Sequence, residues 1–470
     1  MKGTRNFVRT SRATAFCLVA VAAALPLGCS DMDRVVPPPA EEPAGTADHS
    51  SDVARAYYDL SLEFTKTTPG FSPPVASRAW AYMGVALYEA VVPGMPDHRS
   101  LAGALNAFGG PPEPEEGTYH WGAAANEALH TIMSRLYATA PSGATMLGSV
   151  HDTNDADFAS EADEATLERS RAWGKSVADA VWAYSLTDGG HEGYTRNFPA
   201  SYVPPVGPGL WVPTPRPGGL PPQPALQPYW GNNRPFILPA TGNPNSIADP
   251  GPPPAFSLDP SSDFYVEALE VHATGSLGSN LTPEEFLIAD FWADNPTQTA
   301  TPPGHWIAIL TGVIETDEID LALASEAYAR LGIVVCDSFI SCWYAKYEHN
   351  LLRPITYIRD PSGPINDPTW ESAVGTPPFP EYTSGHSVQS AAAARVLEEL
   401  FGTDYAFVDD AHVDRVPPLD PRSFDSFEEA AEEAAISRLY GGIHYRSAIE
   451  LGMAQGQAIG DLVNTIPFLR

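Results

Sequence analysis

Cysteine and positive charge are what this 470-residue sequence has least of. Of its four cysteines, Cys17 and Cys29 fall in the leading segment, which leaves Cys336 and Cys342 for the folded body. Those two lie six residues apart in a helical pattern, hence roughly 9 Å from one another at about 1.5 Å of rise per residue. A disulfide needs Cα atoms within about 7 Å, so buried free thiols are expected. Lys and Arg number 26 against 58 Asp and Glu, for a net charge of −32. A field of that sign repels polyphosphates and anionic membrane surfaces, which argues against a nucleic-acid partner. Any anion site must then be built from a few converging cations. Long apolar runs are missing after residue 28, so no further segment reads as a membrane span. Strict alternation of Val, Ile and Thr, the strand signal, is sparse throughout. What remains is 43% hydrophobic, with 10 Trp, 19 Tyr and 19 Phe, the composition of a folded protein with a sizeable core.

The leading segment carries Lys2, Arg5, Arg9 and Arg12 ahead of an apolar run from Ala13 to Leu27. That reads as an export signal, and the run is too short to span a bilayer comfortably. The Gly28-Cys29 step resembles a bacterial lipoprotein signal, despite Pro26 where Leu is usual, with simple secretion as the alternative. Residues 1–28 are thus expected as a signal peptide and 29–51 as a flexible tether after a lipidated Cys29. That places the protein in the periplasm or at the cell surface, in contact with a membrane only through its anchor. Removing the four early cations makes the net charge −32 − 4 = −36. At about 150 residues per domain the length suggests three domains, a prior that large single-core enzymes break.

From Ser51 to Gly94, and again in 121–137, 166–184 and 282–293, apolar residues recur at three and four, the helical period. A mostly helical fold is expected. Between Pro199 and Pro260 lie 19 of the 48 prolines, which no helix interior tolerates. With Trp211, Tyr229, Trp230 and Phe236 interleaved, this stretch reads as an ordered covering beside an active site.

Three motifs in the last third carry chemistry. In Lys346-Tyr-Glu-His-Asn-Leu-Leu-Arg353-Pro354 the two cations are seven apart, nearly two helical turns, and are expected on one helix face around a single anion. In Ser384-Gly385-His386 a helix begins, so free N–H groups and the helix dipole can bind an oxyanion, with His386 placed to trade protons. In Ser437-Arg438-Leu-Tyr-Gly-Gly-Ile-His444, Arg438 adds a planar donor fork, Gly441 and Gly442 permit close backbone approach, and His444 can serve as nucleophile or metal ligand. Each alone also fits a solvated helix face, a helix cap or a chain turn. Together they make an oxyanion site with an added Lewis-base nitrogen.

The order Lys-x6-Arg-Pro, Ser-Gly-His, Ser-Arg-x5-His resembles the vanadium-dependent haloperoxidases and the type 2 phosphatidic acid phosphatase superfamily around them. The run 337–360, the loop 377–386, and the segments 77–90, 291–296 and 301–306 are also similar to family segments. The resemblance implies an all-α domain over 52–470 built around two four-helix bundles, with the Pro-rich 199–260 as a loop insertion and the active-site motifs in 337–470. It implies that His444 bonds the vanadium of vanadate, that Lys346, Arg353, Ser384, Gly385 and Arg438 hold its oxygens, and that His386 acts as acid/base. Phosphate can occupy such a site. Hydrogen peroxide, a halide and a small organic acceptor would be the partners, with Lys346 polarising the peroxide. Asp294 is expected either as a partner of Arg438 or as a helix-end cap. Trp343 and Phe379 are expected in the pocket, and Phe379 matches the residue of chloroperoxidases, though halide choice stays open. His349 lines the entrance or is a half-exposed helix residue, and His305 is expected as structural. His272, His120, His130 and His151 show no metal-cage spacing. The rival activity is phosphate-monoester hydrolysis through His444. Phosphatases of the superfamily carry an Asp four residues after that His, where this chain has Ala448, which leaves the histidine's orienting partner unidentified. A third reading is a surface binding protein with a dead site. Oligomeric state is open, a homodimer included.

Overall fold

Helix-period apolar patterning produces the expected elements in the computed structural model, which describes residues 44–214, 220–239, 248–276 and 280–470. Helix α1 (Asp52–Thr67) buries Ala54, Tyr57, Tyr58, Leu60 and Phe64 on one face. Helix α2 (Pro73–Val91) opens with two prolines, harmless in a first turn that has no N–H acceptors, and buries every residue from Pro74 onward. Next come α3 (Trp121–Leu136), α4 (Gly143–Phe158), α5 (Glu164–Ser185), α6 (Asp263–Thr274), α7 (Pro283–Phe291) and α8 (Thr301–Thr316). Helix α9 (Leu321–His349) is the longest at 29 residues. The short α10 (Pro354–Ile358), then α11 (Gly385–Phe401), α12 (Phe427–Tyr440) and α13 (Arg446–Asn464) complete the set, with one antiparallel hairpin of β1 (Phe407–Asp409) and β2 (Arg422–Phe424). The fold is mostly helical, and the described residues pack as one compact unit, so the three-domain arithmetic does not hold.

The core centres on α2 crossing α9. A Cβ on Gly84 would stand 2.6 Å from the Tyr328 carbonyl oxygen, and one on Gly332 would stand 2.7 Å from that of Trp80. Only glycine permits this backbone contact. Helices α11 and α13 meet in the same way through Gly452, Gly456 and Gly460, and a Cβ on Gly456 would lie 2.1 Å from the Val388 carbonyl. Cys336 and Cys342 are buried and free within α9.

Between 199 and 260 the described residues include one short 3-10 turn, Trp230–Asn232, while Trp211, Trp230 and Phe236 are buried. Asp337, inside α9, accepts the N–H groups of Phe236, Ile237 and Leu238 at 2.7, 2.9 and 3.0 Å. One buried carboxylate thereby satisfies three donors that the prolines around them could not place in a ladder.

Residues 1–43, hence the expected signal peptide and most of the tether, lie outside the described residues. The end of the tether as read from sequence is docked. Thr46 is buried and donates to the Val91 carbonyl at 2.7 Å, and His49 accepts the Leu321 N–H at 2.9 Å. Small polar residues that looked like linker serve here as backbone partners for α2 and α9. Among the described residues, no helix is long and apolar enough to cross a membrane.

Candidate active site

Lys346 occupies the last turn of α9, fully buried. Its ammonium donates to the Glu381 carbonyl at 2.9 Å and also to the Thr383 carbonyl, which leaves one of three donors unclaimed. The expectation that Lys346 and Arg353 share a helix face is corrected. Asn350 takes a left-handed conformation (φ +47°) and ends α9, and Arg353 is extended (φ −75°, ψ 152°) as the cap of α10. Pro354 excludes the helical conformation from the residue before it. The two cations meet because the chain turns. Arg353 donates from Nε to the Phe379 carbonyl at 3.0 Å and from Nη1 to that of Ile443 at 2.8 Å, while Nη2 is buried without a partner.

The loop 377–384 delivers the second motif. Ser384 caps α11 by accepting the Ser387 N–H, and its own N–H donates to the Ala448 carbonyl at 3.0 Å. Helix geometry leaves the N–H groups of Gly385 and His386 without intrahelical acceptors. A Cβ on Gly385 would meet nothing closer than Trp343 at 3.8 Å, so the open space in front of this helix start is cavity rather than packed protein. His386 Nε2 is buried without a partner. Burial, then the Arg438 charge, hold this imidazole well below its usual range. It is therefore neutral at neutral pH and stands as a proton acceptor.

The third motif spans the α12–α13 turn. Arg438 closes α12, donating from Nε to the Ser437 hydroxyl at 2.8 Å and from Nη2 to the Ala289 carbonyl at 2.9 Å. Gly442 (φ +74°) passes so near α6 that a Cβ would lie 2.0 Å from the Gly275 carbonyl. Beyond this pinch, His444 is buried with Nδ1 at 2.7 Å from Glu381 Oε1, and the Tyr445 N–H donates to the same oxygen at 3.0 Å. Glu381 is the orienting carboxylate that was sought at position 448. Glu381 Oε1 already accepts the Tyr445 N–H, and Arg353 Nη1, which can only donate, sits 3.2 Å from Nε2, so the proton is on Nδ1 and the lone pair on Nε2. Glu381 stood in view, the lone acid in the Pro-rich loop before Ser-Gly-His, but contacts between residues 63 apart leave no spacing signal. Glu450 pairs with Arg446, and Ala448 contributes its carbonyl to Ser384.

Burial lowers Lys346 to about 8, and Arg353 and Arg438 each to about 10. Burial raises Glu381 to about 7 although Arg353 and Lys346 pull the other way. Burial and the charges of Arg353 and Lys346 hold His444 well below its usual range, so it is a neutral donor. Each shift has the sign of desolvation, which disfavours the charged form of acid and base alike.

These groups surround a cavity of about 280 Å³ lined by Trp343, Phe379, Gly385, His386, Arg438 and His444. Lys346, Arg353 and Ser384 stand behind its wall. The Pro-rich stretch contributes Gln223 and Leu226 to the lining. The Trp343 and Phe379 rings meet at a tilt of 48° with centroids 4.9 Å apart, and both Lys346 and Arg353 lie over the Phe379 ring, at 5.2 and 5.0 Å. His349 is outside this lining and packs against Tyr382.

Asp294 lines the cavity but does not hydrogen-bond Arg438, whose partners are given above, and this corrects one expectation. Its Oδ2 lies 3.0 Å from His305 Nδ1, and His305 Nε2 lies 2.8 Å from Asp409 Oδ2. Burial would lower His305, but the two carboxylates outweigh it and raise it to about 10. Asp294 thus reaches Arg438 by charge alone, while His305 is the clamp that holds it.

Residues 326–466 match a family model described as the second helical-bundle domain of VCPO. The crystal structure described as the first bacterial vanadium-dependent iodoperoxidase is 38% identical, covering 88% of this chain and 96% of that one, with a TM-score of 0.75. A vanadium chloroperoxidase from Curvularia inaequalis is 25% identical over 33% of this chain. That match spans about a third, 35%, of the curated relative's length. An apo bacterial vanadium-dependent chloroperoxidase shares the fold at 17% identity, with a TM-score of 0.61 over 85% of this chain and 94% of that one.

Proposed function

Since the chain belongs to the vanadium-dependent haloperoxidase family, we propose that it oxidises halide with hydrogen peroxide to a hypohalous species at a vanadate held in the cavity described above. The carrying observation is His444, whose Nδ1 is engaged by Glu381 at 2.7 Å so that Nε2 offers a lone pair inside a ring of buried cations. The residues fit an oxyanion. Arg353 Nη2 and His386 Nε2 are buried donors or acceptors without partners, the α11 start presents free N–H groups, and Gly385 fronts open space. Arg353, Arg438, Lys346, Ser384 and Gly385 would hold the vanadate oxygens, and His444 Nε2 would bond the metal. Vanadate, when bound, supplies an electron-poor centre that activates peroxide toward halide.

Halide oxidation by peroxide consumes one proton and releases water. His386, neutral at rest, takes a proton from the incoming peroxide and returns it to the departing oxygen. The unclaimed donor of Lys346 polarises the reacting oxygen, and Trp343, Leu226 and Phe379 exclude bulk water, which strengthens every charge interaction inside. The Phe379 pattern pointed to chloride, whereas the relative 38% identical over nearly its full length is described as an iodoperoxidase. Iodide, the most easily oxidised of the three halides, is the substrate we assign first.

The same reading takes the helices as two four-helix bundles within 52–470, and residues 1–28 as an export signal followed by a lipid anchor at Cys29. The test uses protein stripped of phosphate. Peroxide-dependent oxidation of iodide, bromide and chloride, with and without orthovanadate, is measured beside hydrolysis of a nitrophenyl phosphate. Vanadate-dependent iodide oxidation supports the proposal. Hydrolysis without vanadate, inhibited when vanadate is added, would make the protein a phosphatase.

A further inference from the structure

Among the described residues, three groups of side chains bring His and carboxylate ligand atoms within 4.8 Å of one another. One, Asp294 with His305 and His412, is the clamp beside the active site. In another, His120 Nδ1 accepts the Ala123 N–H, so its Nε2 bears the proton it shares with Glu161 and has no lone pair to give. The third stands apart from both. Glu127 and His130, three residues apart on α3, face His151 on α4, and all three are half-buried. The sequence suggested no metal spacing for His130 and His151 because the ligands come from two helices joined by a turn.

We propose that Glu127, His130 and His151 form a zinc-class divalent-cation site that fastens α4 to α3. Glu127 Oε2 and His151 Nε2 are 3.1 Å apart, close to the roughly 3.3 Å separating two ligands of a tetrahedral zinc with bonds of about 2.0–2.1 Å. Asp152 Oδ1 lies 3.3 Å from His151 Nδ1, the carboxylate support that fixes a metal-binding imidazole and leaves Nε2 to the ion. Thr131 donates to Glu127 Oε1 at 3.1 Å and holds that carboxylate in place. The His130 ring makes no hydrogen bond among the described residues, although it lies 4.5 Å from the His151 ring. Two cationic imidazoles at that distance would repel. That repulsion keeps at least one of the two rings neutral, with a lone pair to give an ion. Two nitrogens and one oxygen favour zinc over calcium or magnesium, and solvent can complete the coordination.

Helix α4 has need of such a fastening. Of its 16 residues only Gly143 and Leu147 are buried, with Val150 and Phe158 partly buried against the core, so polar contacts such as Asn154 to Asn126 at 3.0 Å, Asn126 to the His151 carbonyl at 3.1 Å and Arg171 to Asp155 carry much of its attachment. A net charge of −32 raises the local concentration of any divalent cation.

The test is isothermal titration of the purified full chain with zinc chloride in phosphate-free buffer, alongside His130→Ala, His151→Ala and, as a control, His412→Ala. Wild type and His412→Ala are expected to bind one zinc at this site, with affinity about 100-fold weaker in the His130 and His151 variants. Zinc should raise the wild-type Tm and leave that of His151→Ala unmoved. Absence of zinc binding, or equal affinity in all four proteins, overturns the proposal. Should a variant lose its helical circular dichroism, hydrogen exchange on the wild type decides. Zinc must slow exchange in α3 and α4 specifically, and unchanged or uniform exchange overturns the assignment.

Discussion

An imidazole gives a lone pair to a metal only from the nitrogen that carries no proton, and in this pocket Glu381 decides which nitrogen that is. Glu381→Gln keeps the shape but replaces an acceptor-only group with an amide that can turn a donor toward Nδ1. We expect the vanadate dissociation constant to rise about 10–100-fold, the usual cost of losing such a support, with thermal stability monitored to separate misfolding from lost affinity. Lys346 gives a pH prediction. Its ammonium is lowered to about 8 by burial, and a bound anion favours the charged form, so its contribution to affinity is full below that value and declines as pH rises through it. Sulfate, whose own charge is constant over this range, is the probe. Calorimetry should show a shallow fall as Glu381 ionises near 7 and a further fall, approaching tenfold per unit, above about 8, and Lys346→Arg should remove the second fall. A wild-type curve that is flat to pH 10 would contradict the assignment. At this scale the residues legible in the sequence were those in short motifs, and the structure brings Gly385, His386, Arg438 and His444 into the cavity lining with Lys346, Arg353 and Ser384 behind it. Glu381 and the His305 clamp were out of reach, since each works through partners far away in the chain.

Helices position these residues through close backbone contact. Helix α13 presents Gly452, Gly456 and Gly460 to α11, and the α11 start carries Ser384, Gly385 and His386. A side chain at Gly456 would push the Val388 carbonyl aside. Gly456→Val is expected to destabilise the fold by about 1–3 kcal/mol, the range for overpacking, and to weaken oxyanion binding because α11 moves with its N-terminus. Denaturant unfolding and a sulfate titration check both effects. Unchanged stability would mean the helices have room that the geometry denies. Element boundaries show where sequence reading failed. A helical period carried Lys346 and Arg353 onto one helix, but Asn350 tolerates the left-handed conformation and Pro354 keeps Arg353 extended, so local chain chemistry overrode the period. Residues 44–51 looked like tether by composition, yet the Thr46 hydroxyl bonds α2 and the His49 carbonyl bonds α9, which composition cannot reveal.

For the whole molecule, the sequence carries an excess of 32 negative charges, yet Arg438 lines the cavity with Lys346 and Arg353 buried behind it. Burying Lys346, Arg353 and Arg438 costs stability until an anion offsets their charge. The compact body is expected to unfold in a single transition whose Tm rises with added vanadate or sulfate, by the equivalent of about 2.7 kcal/mol at 100 times the dissociation constant. Scanning calorimetry reads this directly, and a Tm indifferent to oxyanions would contradict a built anion site. The measurement that bears most directly on the account is a vanadate titration of peroxide-dependent iodide oxidation by the phosphate-stripped protein and by His444→Ala. The account predicts saturable activation of the wild type and none in the variant over the same range, with both proteins folded. Equal activation of the two would contradict His444 as the group that holds the vanadate.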